Sequence, residues 1–366
     1  MSQRKKILLI GPLNSAGVGG RLEEMKVWAN ALRLADCNVS VFSMFNAHPY
    51  FGSIPVYESI DILTPLSSYP LLRKLLLRVW GSKLFKKLRD NFYFSEKWES
   101  FSNKFDHIVL FITDSSRERL IFDSPSLASV FIRFTGTISN FSNLNRDAHR
   151  SSVLNRKYIF HDPALLFGFK PAIPTYFVDQ TAISEIELLQ IPVSTSITTF
   201  AMVGLFMEVK QVEEVILKFA QFPELKLLIF GQGELESNYR ELITQNKLTN
   251  VEIRGFFPSS IMVQMYIEFD ALIINSIEET GPMTGVEAMA AGKCIISTDV
   301  GAMRGRIIND FWIIDDTNTL SQVLFNLRNT SKEQISVERN RLRNRYITDY
   351  SNKAILSHIA QTILVD

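Results

Sequence analysis

Residues 275–292, with the sequence NSIEETGPMTGVEAMAAG, carry the most informative pattern in the chain. The apolar run Ala271–Asn275 ends where this segment begins and predicts a β-strand. A helix is expected from about residue 284, with Thr284 as its N-cap. Two carboxylates, Glu279 and Glu287, are eight residues apart, one in the loop and one in the first helical turn. The segment therefore predicts a strand–loop–helix unit with an acidic residue on each side of the helix start.

The predicted helix start offers an environment for an anion. The amides of Met283, Thr284 and Gly285 would point at whatever lies before the helix, where the helix dipole is positive. A diphosphate fits this environment, and a carboxylate on each side could accept hydrogen bonds from sugar hydroxyls. The spacing alone is equally compatible with two glutamates that favour the first turn because of the helix dipole.

Short apolar runs alternate with amphipathic stretches on both sides of this segment, and the runs are apolar on both faces, as in parallel sheets covered by helices. In the C-terminal half, strands are predicted at 198–204, 226–230, 251–254, 271–275 and 295–297, and helices at 212–222, 235–245, about 259–268, 284–291, 332–346 and 352–364. In the N-terminal half, strands are predicted at 7–10, 39–42, 108–112, 130–134 and 158–160, and a helix at 20 to about 36. The sequence thus predicts an α/β fold with two Rossmann-like, doubly wound domains.

The first predicted strand is followed by a glycine-rich loop, SAGVGGR at residues 15–21. Gly17, Gly19 and Gly20 would let backbone amides approach a phosphate at the start of a helix. The complete G-x-G-x-x-G pattern is absent, because Leu22 stands at the last position. A plain tight turn is therefore as compatible with this loop as a phosphate contact.

Length and proline positions indicate two domains. A chain of 366 residues exceeds one ordinary core of about 150 residues. Pro163, Pro171 and Pro174 mark a change near residue 172. We predict an N-terminal domain at 1–172, a C-terminal domain at 173–345 and a terminal helical segment at 346–366.

Composition excludes several classes of protein. The chain has 39 basic and 38 acidic residues, which argues against binding a polyanion through bulk charge. Its two cysteines cannot form a disulfide framework or a four-cysteine zinc site, and no histidine spacing is typical of a metal site. The apolar run near the N-terminus is too short for a signal peptide or a membrane span. The sequence predicts a cytoplasmic protein.

From about Phe200 to Gly301 the chain resembles the nucleotide-sugar-binding domain of family 4 glycosyltransferases, which have the GT-B fold. The family pattern of glutamate, seven residues, glutamate, then Ala-Met-Ala and Gly is present at Glu279, Glu287 and the residues up to Gly292. Other marks of the family occur in order along the same hundred residues. They are Val203-Gly204 with Lys210, the turn Gly231-Gln232-Gly233-Glu234-Leu235, the segment from Asn250 to Gly255, Asp270-Ala271, and Thr298-Asp299-Val300-Gly301.

The resemblance implies two domains that face each other across a cleft, with the final helix crossing back to the first. Lys210 would neutralise charge on the donor diphosphate in the transition state, Glu279 would bind hydroxyls of the donor sugar, and Glu287 would hold the ribose. The remaining donor contacts implied are Gly17, Gly19, Gly20, Met283, Thr284, Gly255 and Phe256. Family members transfer sugar with retention and generally need no metal, in agreement with the missing Asp-x-Asp motif, so no metal or cofactor is expected.

The chain departs from the family pattern at several positions, some of which carry a charge in the family. Leu205 stands where the family has a second arginine for the diphosphate, and Ile132 stands where a histidine is common. The usual Gly-Phe-Gly is Thr280-Gly281-Pro282, and the usual Pro-Glu is Arg304-Gly305. Candidates for the missing cation, through phosphate or acceptor contacts, are Arg133, Arg304 and Arg306.

Residues 71–90, LLRKLLLRVWGSKLFKKLRD, form a basic segment outside this resemblance. At helical spacing Leu76, Trp80, Leu84 and Leu88 share one face. Of the seven Lys and Arg residues, Lys74, Arg78 and Lys86 lie on the opposite face, and Lys83 and Lys87 flank the apolar stripe. Such a helix suits an anionic membrane surface, with the protein peripheral at the inner face of the cell membrane. A helix whose leucines pack on the N-terminal sheet explains the same pattern.

These observations predict a retaining glycosyltransferase that acts on a lipid-linked oligosaccharide in bacterial surface polysaccharide synthesis, such as O-antigen or capsule. Its expected partners are a nucleotide-sugar donor, an oligosaccharide or polyprenyl-linked acceptor and an anionic membrane, without nucleic acid. Two alternatives stay open: a nucleotide-sugar epimerase on the same fold, and a non-catalytic partner of another glycosyltransferase.

Overall fold

The structure is a computed structural model. It describes residues 4–11, 13, 20–44, 51–58, 61–62, 71, 75, 78, 91–112, 126–135, 155–166, 173–258 and 261–364. The chain divides into two compact units, one of Met1–Val178 with Leu356–Asp366, and one of Asp179–Ile355. The domain limits predicted from the sequence, near residues 172 and 345, stay predictions.

The first unit contains a parallel sheet, with seven strands in the described residues, in the order β3-β2-β1-β4-β5-β6-β7. Its central strands are apolar on both faces, and the side chains of Ile7–Ile10 are fully buried, as covering by helices requires. The strands are β1 (Lys6–Gly11), β2 (Asn38–Ser43), β3 (Val56–Tyr57), β4 (His107–Ile112), β5 (Ser129–Phe134), β6 (Arg156–Phe160) and β7 (Thr175–Phe177).

α-Helices lie between the strands of this sheet along the chain, among them the following two. Helix α1 (Gly20–Leu34) follows the glycine-rich loop and buries Met25 and Trp28. Helix α2 (Glu96–Ser102) begins after Ser95, whose hydroxyl accepts a hydrogen bond from the Trp98 amide at 3.3 Å. That side-chain cap satisfies one of the amides that a helix start leaves without an intrahelical partner.

The second unit contains another parallel sheet, with six strands in the described residues, in the order β10-β9-β8-β11-β12-β13. Strand β11 pairs with both β8 and β12, so Ala271 lies opposite Phe200 on one side and Cys294 on the other. The strands are β8 (Thr199–Val203), β9 (Lys226–Phe230), β10 (Val251–Gly255), β11 (Ala271–Ile274), β12 (Cys294–Thr298) and β13 (Ile313–Ile314).

Helices connect these strands and cover the sheet. They are α3 (Glu185–Leu189), α4 (Val212–Phe219), α5 (Glu236–Gln245), α6 (Met262–Ile267), α7 (Met283–Ala290), α8 (Met303–Ile307), α9 (Leu320–Leu327) and α10 (Lys332–Arg345). A π-helical turn, Tyr346–Tyr350, then leads into α11 (Asn352–Leu364). No helix within the described ranges is long and apolar enough to cross a membrane.

Both sheets contain a point at which the strand order reverses. It lies between β1 and β4 in the first sheet and between β8 and β11 in the second. At such a point the loops that leave the carboxyl ends of the two strands diverge to opposite faces, and a crevice opens between them. The loops after β8 and β11 carry Lys210 and Glu279, so the second crevice contains the residues singled out from the sequence.

Two details of α7 correct the sequence prediction. The helix begins at Met283 and its N-cap is Pro282, so the prediction of Thr284 as the N-cap is wrong. Pro282 has a φ of −63°, the value to which its ring restricts it, and an extended ψ of 121°. Glu287 is consequently the fifth helical residue rather than a member of the first turn.

Candidate active site

Lys210 lies in a short connection between β8 and α4. The chain leaves the sheet at Gly204, and a 3₁₀ turn, Glu208–Lys210, follows. Gln211, directly after the lysine, has a left-handed backbone with a φ of 48° and precedes α4. Since a non-glycine residue in this region costs of order 1 kcal/mol, the surrounding contacts must hold the turn in place.

The turn that follows β9 supports the Lys210 loop. A Cβ atom on Gly231 would lie 1.8 Å from the carbonyl oxygen of Gly204, and one on Gly233 would lie 2.6 Å from that of Phe206. The Phe206 amide also donates to the carbonyl of Gln232 at 3.0 Å. The glycines of the Gly-Gln-Gly motif are therefore required because two loops approach each other more closely than side chains allow.

Glu279 lies in the loop that follows β11, and three hydrogen bonds hold this loop. The Ile277 amide donates to the carbonyl of Val209 at 2.9 Å, which ties the loop to the Lys210 turn. The Thr298 hydroxyl donates to the carbonyl of Ser276 at 2.7 Å, and the Ser276 hydroxyl donates to Glu279 Oε1 at 3.0 Å. The position of the carboxylate is thus set by its own loop and by β12.

Lys210 and Glu279 form an ion pair in the crevice between β8 and β11. Lys210 Nζ donates to Glu279 Oε1, and the two side chains are 26% and 17% exposed. They line a pocket of about 370 Å³, including its open mouth, together with Gly204, Leu205 and Thr284 among others. The structure therefore brings together, on one pocket, a cation and a carboxylate that are 69 positions apart in the chain.

Glu287 is buried on α7, where Tyr266 contacts it. The hydroxyl of Tyr266, a fully buried side chain of α6, donates to Glu287 Oε2 at 2.8 Å. The same hydroxyl is 3.2 Å from the carbonyl of Thr284. Burial, and then the negative charge of Glu287, raise the pKa of Tyr266 well above its ordinary value, so this tyrosine is a neutral hydrogen-bond donor.

The start of α7 faces the same pocket, because Pro282 and Thr284 are among its lining residues. The Gly285 amide donates to the Pro282 carbonyl at 3.0 Å. Met283 and Thr284 are the first two helical residues, and amides at these positions lack intrahelical acceptors. The pocket thus combines a lysine, a carboxylate and the positive end of a helix.

Residues 191–324 match the family model for glycosyl transferases group 1. This part of the chain is similar to glycosyltransferases of group 1. The matched residues include β8 to β13 and both loops of the pocket. Resemblance to glycosyltransferases, as inferred from the sequence, is confirmed, whereas assignment to family 4 and retention of configuration stay predictions.

Solved structures of glycosyltransferases have the same fold over nearly the whole chain. Sucrose-phosphate synthase from Thermosynechococcus elongatus is 16% identical, with a TM-score of 0.70 and 98% of both chains covered. HepE from Anabaena, in complex with UDP and glucose, is 17% identical, with a TM-score of 0.66 and 98% of this chain and 99% of HepE covered. WaaG, a glycosyltransferase involved in lipopolysaccharide biosynthesis, is 13% identical, with a TM-score of 0.62 and 98% of this chain and 100% of WaaG covered. The predicted GT-B fold is confirmed. No curated protein matches the sequence significantly.

Two further predicted donor contacts lie at the end of β10. Gly255 has a left-handed φ of 74°, and its carbonyl accepts a hydrogen bond from the Gly231 amide at 2.8 Å. Phe256 follows and is 41% exposed, so its ring is accessible to a ligand. In the first unit, Gly20 is the first residue of α1, while Gly17 and Gly19 lie outside the described residues.

Arg133 lies in the first unit and is fully buried. Its Nε donates to Glu24 Oε1 at 2.7 Å, and its Nη1 donates to the carbonyl of Val178 at 2.6 Å. The guanidinium carbon also lies 5.5 Å from the centre of the Trp28 ring. A buried charge of this kind needs a partner, and Glu24 supplies it. The role of Arg133 toward a phosphate or acceptor stays a prediction.

Arg304 and Arg306, the other candidate cations, differ sharply in environment. Arg304 is 41% exposed, and it pairs with Asp299 and Asp310, each at 2.7 Å. Arg306 is fully buried beside the start of α7 and pairs with Asp179. Only Arg306 contacts a residue of the pocket wall, since it binds the carbonyl of Pro282.

Sequence patterns did not identify Tyr266 or Asp179 as part of the site. The sequence placed Tyr266 only within a predicted helix at about 259–268, and Asp179 is 127 positions from Arg306. No local signal could have revealed that long-range pair. A buried tyrosine is a plausible hydrogen-bond donor, but its acceptor becomes evident only in the fold. In the described part of the chain, no three His, Cys, Asp or Glu side chains are grouped as a metal site would require.

Proposed function

We propose that this protein is a retaining, family 4 glycosyltransferase that moves a sugar from a nucleotide-sugar to a hydroxyl of a lipid-linked oligosaccharide. The setting is the synthesis of a bacterial surface polysaccharide, such as O-antigen or capsule. The observation that carries the proposal is the Lys210–Glu279 pair beside the start of α7, within a group 1 domain. This arrangement offers positive charge for a diphosphate and a carboxylate for sugar hydroxyls at the same pocket.

In the proposed reaction, the bond between the anomeric carbon and the diphosphate breaks while a bond to the acceptor oxygen forms. The acceptor hydroxyl loses its proton to the departing diphosphate, which leaves as the nucleoside diphosphate. Lys210 stabilises the negative charge that develops on this leaving group. Lys210 contacts Glu279 in the free protein. When the donor binds, the Lys210 ammonium must therefore either contact the diphosphate in addition to Glu279 or leave Glu279 for the diphosphate.

Donor recognition is proposed to use three further regions of the second unit. The amides at the start of α7 bind the diphosphate, Glu287 binds the ribose hydroxyls and the strand end at Gly255-Phe256 lies near the base. The bound UDP and glucose of HepE support a nucleotide-sugar as the class of donor. Transfer is proposed to need neither metal nor cofactor, so activity should survive dialysis against EDTA.

An oligosaccharide acceptor is supported by proteins of the same fold. TarM of S. aureus, 12% identical with a TM-score of 0.69, has been solved with fondaparinux and a GlcNAc-glycerol glycoside, and WaaG belongs to lipopolysaccharide biosynthesis. A lipid carrier and the membrane surface are the finer part of the proposal. They rest on the basic segment 71–90, of which the structure describes residues 71, 75 and 78 alone.

The proposal can be tested with the purified chain, pooled nucleotide-sugars and a lipid extract as the source of acceptor. Mass spectrometry identifies the product, and release of nucleoside diphosphate gives the rate. Lys210→Ala should lower kcat by about 10²–10³-fold, the usual effect of removing one group that stabilises transition-state charge. Lys226→Ala is the matched control, because Lys226 is half exposed and its ion pair with Glu252 lies at the opposite end of β9.

Other outcomes would identify a different function. Conversion of the donor without an acceptor would indicate an epimerase, and absence of any nucleotide binding would indicate a non-catalytic partner. Full activity in Lys210→Ala or in Glu287→Ala would contradict the site assignment. An NMR spectrum of the product establishes whether the anomeric configuration is retained.

A further inference from the structure

Arg306 is a buried guanidinium next to the start of α7. Its side chain on α8 is fully buried, and Nη1 donates to the carbonyl of Pro282 at 2.6 Å. Nε and Nη2 donate to the carboxylate of Asp179, with 3.1 Å between Nε and Oδ2. Because Pro282 lines the pocket that holds Lys210, Arg306 contacts the wall of the proposed donor site from the side opposite the ligand.

The start of α7 depends on such outside contacts. Pro282 is the N-cap and makes no side-chain hydrogen bond to the helix. The first turn also lies directly against α8, since a Cβ on Gly285 would be 2.8 Å from the Met303 sulfur and 3.2 Å from Arg306 Nη1. The position of the first turn is therefore set by α8, and the hydrogen bond from Arg306 is the polar part of that contact.

Electrostatic considerations indicate that the charge of Arg306 has a role beyond packing. A positive charge near the positive end of a helix is unfavourable, and so is the burial of a charge. Asp179 offsets both costs, yet a buried ion pair can often be replaced by apolar side chains with little loss of stability. An anion at the start of α7 would interact favourably with the guanidinium and with the helix dipole together. The charge is thus suited to a site that binds an anion.

We propose that Arg306 is a positioning residue for the donor diphosphate, which it does not touch. By holding the Pro282 carbonyl, it fixes the amides at the start of α7 in the orientation that the phosphates require. This inference rests on the proposed function, because it assumes that a nucleoside diphosphate occupies the pocket.

The experiment compares two buried arginines of the second unit. Arg339 on α10 is also fully buried and also binds backbone carbonyls and an aspartate, Asp270. Its contacts lie at the amino end of β11, whereas the pocket lies at the carboxyl end. Lys and Met substitutions at both positions therefore test the same kind of buried contact at two locations. Lysine keeps the charge but loses the forked geometry of arginine.

Binding is measured by calorimetry with UDP, GDP, dTDP and ADP, and the tightest of these is then compared with its own monophosphate. Arg306→Lys should weaken diphosphate binding about threefold and Arg306→Met about tenfold, the loss expected for one charge-assisted hydrogen bond. Monophosphate binding should fall less, so the preference for the diphosphate shrinks. The Arg339 variants should keep both constants within about twofold of wild type even where their melting temperature falls.

The results separate the inference from the proposed function. If the wild type binds none of the four nucleotides, the proposed function is wrong and the inference fails with it. If the wild type binds, but the Arg306 variants bind equally well or lose monophosphate and diphosphate alike, the positioning role is refuted. Equal losses in the Arg339 variants would also refute it. Should Arg306→Met fail to fold, Arg306→Lys carries the comparison.

Discussion

Replacing Gly301 by alanine tests whether the Glu279 loop needs the close approach of the turn after β12. Gly301 has a left-handed φ of 52°, and a Cβ there would lie 2.4 Å from the Thr280 carbonyl oxygen and 2.7 Å from that of Glu279. Ordinary contact begins at 3.4 Å, so the Thr280 carbonyl must retreat by about 1 Å. A displacement of about 1 Å in a group that orients a substrate costs about 10²-fold in rate.

Two costs contribute to the effect of this substitution, and a second glycine separates them. An alanine in the left-handed region costs about 1–2 kcal/mol, whatever surrounds it. Gly52 has a similar φ of 65° and no atom within 4 Å of its Cβ position, so Gly52→Ala carries the backbone cost alone. Gly301→Ala adds the clash with two carbonyls. We expect a loss of stability in both variants and a loss of activity only in Gly301→Ala.

The assay is the initial rate of nucleoside diphosphate release in the presence of acceptor, with urea unfolding to verify that both variants are folded under assay conditions. Gly301→Ala should lower kcat/KM about 10²-fold, and Gly52→Ala should leave it within about twofold. A folded Gly301→Ala protein with the kcat/KM of wild type would refute the claim that this turn positions Glu279.

Three further predictions follow from other contacts. Tyr266→Phe should weaken nucleotide binding, measured by calorimetry, about tenfold because Glu287 loses the donor that orients it. Tyr239→Phe, at another buried tyrosine away from that carboxylate, should leave binding unchanged. Burial, and then the charge of Arg339, lower the pKa of Lys293 from 10.5 to about 8. As pH rises, the folded state loses the Lys293 proton before the unfolded state does. The free energy of unfolding, measured by urea titration, should therefore rise between pH 8 and 10.5. Lys293→Met should abolish that rise. Wild type should float with vesicles that contain phosphatidylglycerol, and a chain with the seven Lys and Arg residues of 71–90 changed to Gln should not.

Strands with continuous apolar runs were predictable from the sequence. In the second unit, β8, β9, β11 and β12 all agree with the predicted strands to within one residue at each end. The strands that were missed, β3, β7 and β13, are two or three residues long, too short for any periodicity to be recognised. All three lie at sheet edges, β3 and β7 at the two edges of the first sheet and β13 at one edge of the second. A short edge strand forms because a neighbouring strand offers hydrogen-bond partners, and the local sequence does not show which strand that is.

The start of α7 shows why rules for helix ends can fail at a binding site. Threonine is a better N-cap than proline by intrinsic preference, and this favoured Thr284. In the structure the helix begins at Met283 with Pro282 as its N-cap, and Arg306 and the Gly285 amide both donate to the Pro282 carbonyl. These donors hold the carbonyl at the helix start, but the N-cap supplies no side-chain acceptor for the first amides of the helix. The local preference for Thr284 as the N-cap therefore does not determine where this helix begins at the proposed site.

Under the proposed function, the Lys210–Glu279 pair couples two steps that neither residue shows alone. Among the described residues that line the pocket, Lys210 is the side chain with a positive charge, and Leu205 beside it is apolar. The same ammonium neutralises Glu279 in the free protein. A diphosphate that draws Lys210 away leaves the carboxylate with Ser276 as its hydrogen-bond donor and free to accept further bonds from sugar hydroxyls. Binding of the phosphates and orientation of the sugar are then coupled through one ion pair, so Lys210→Ala should weaken selection of the sugar as well as the rate.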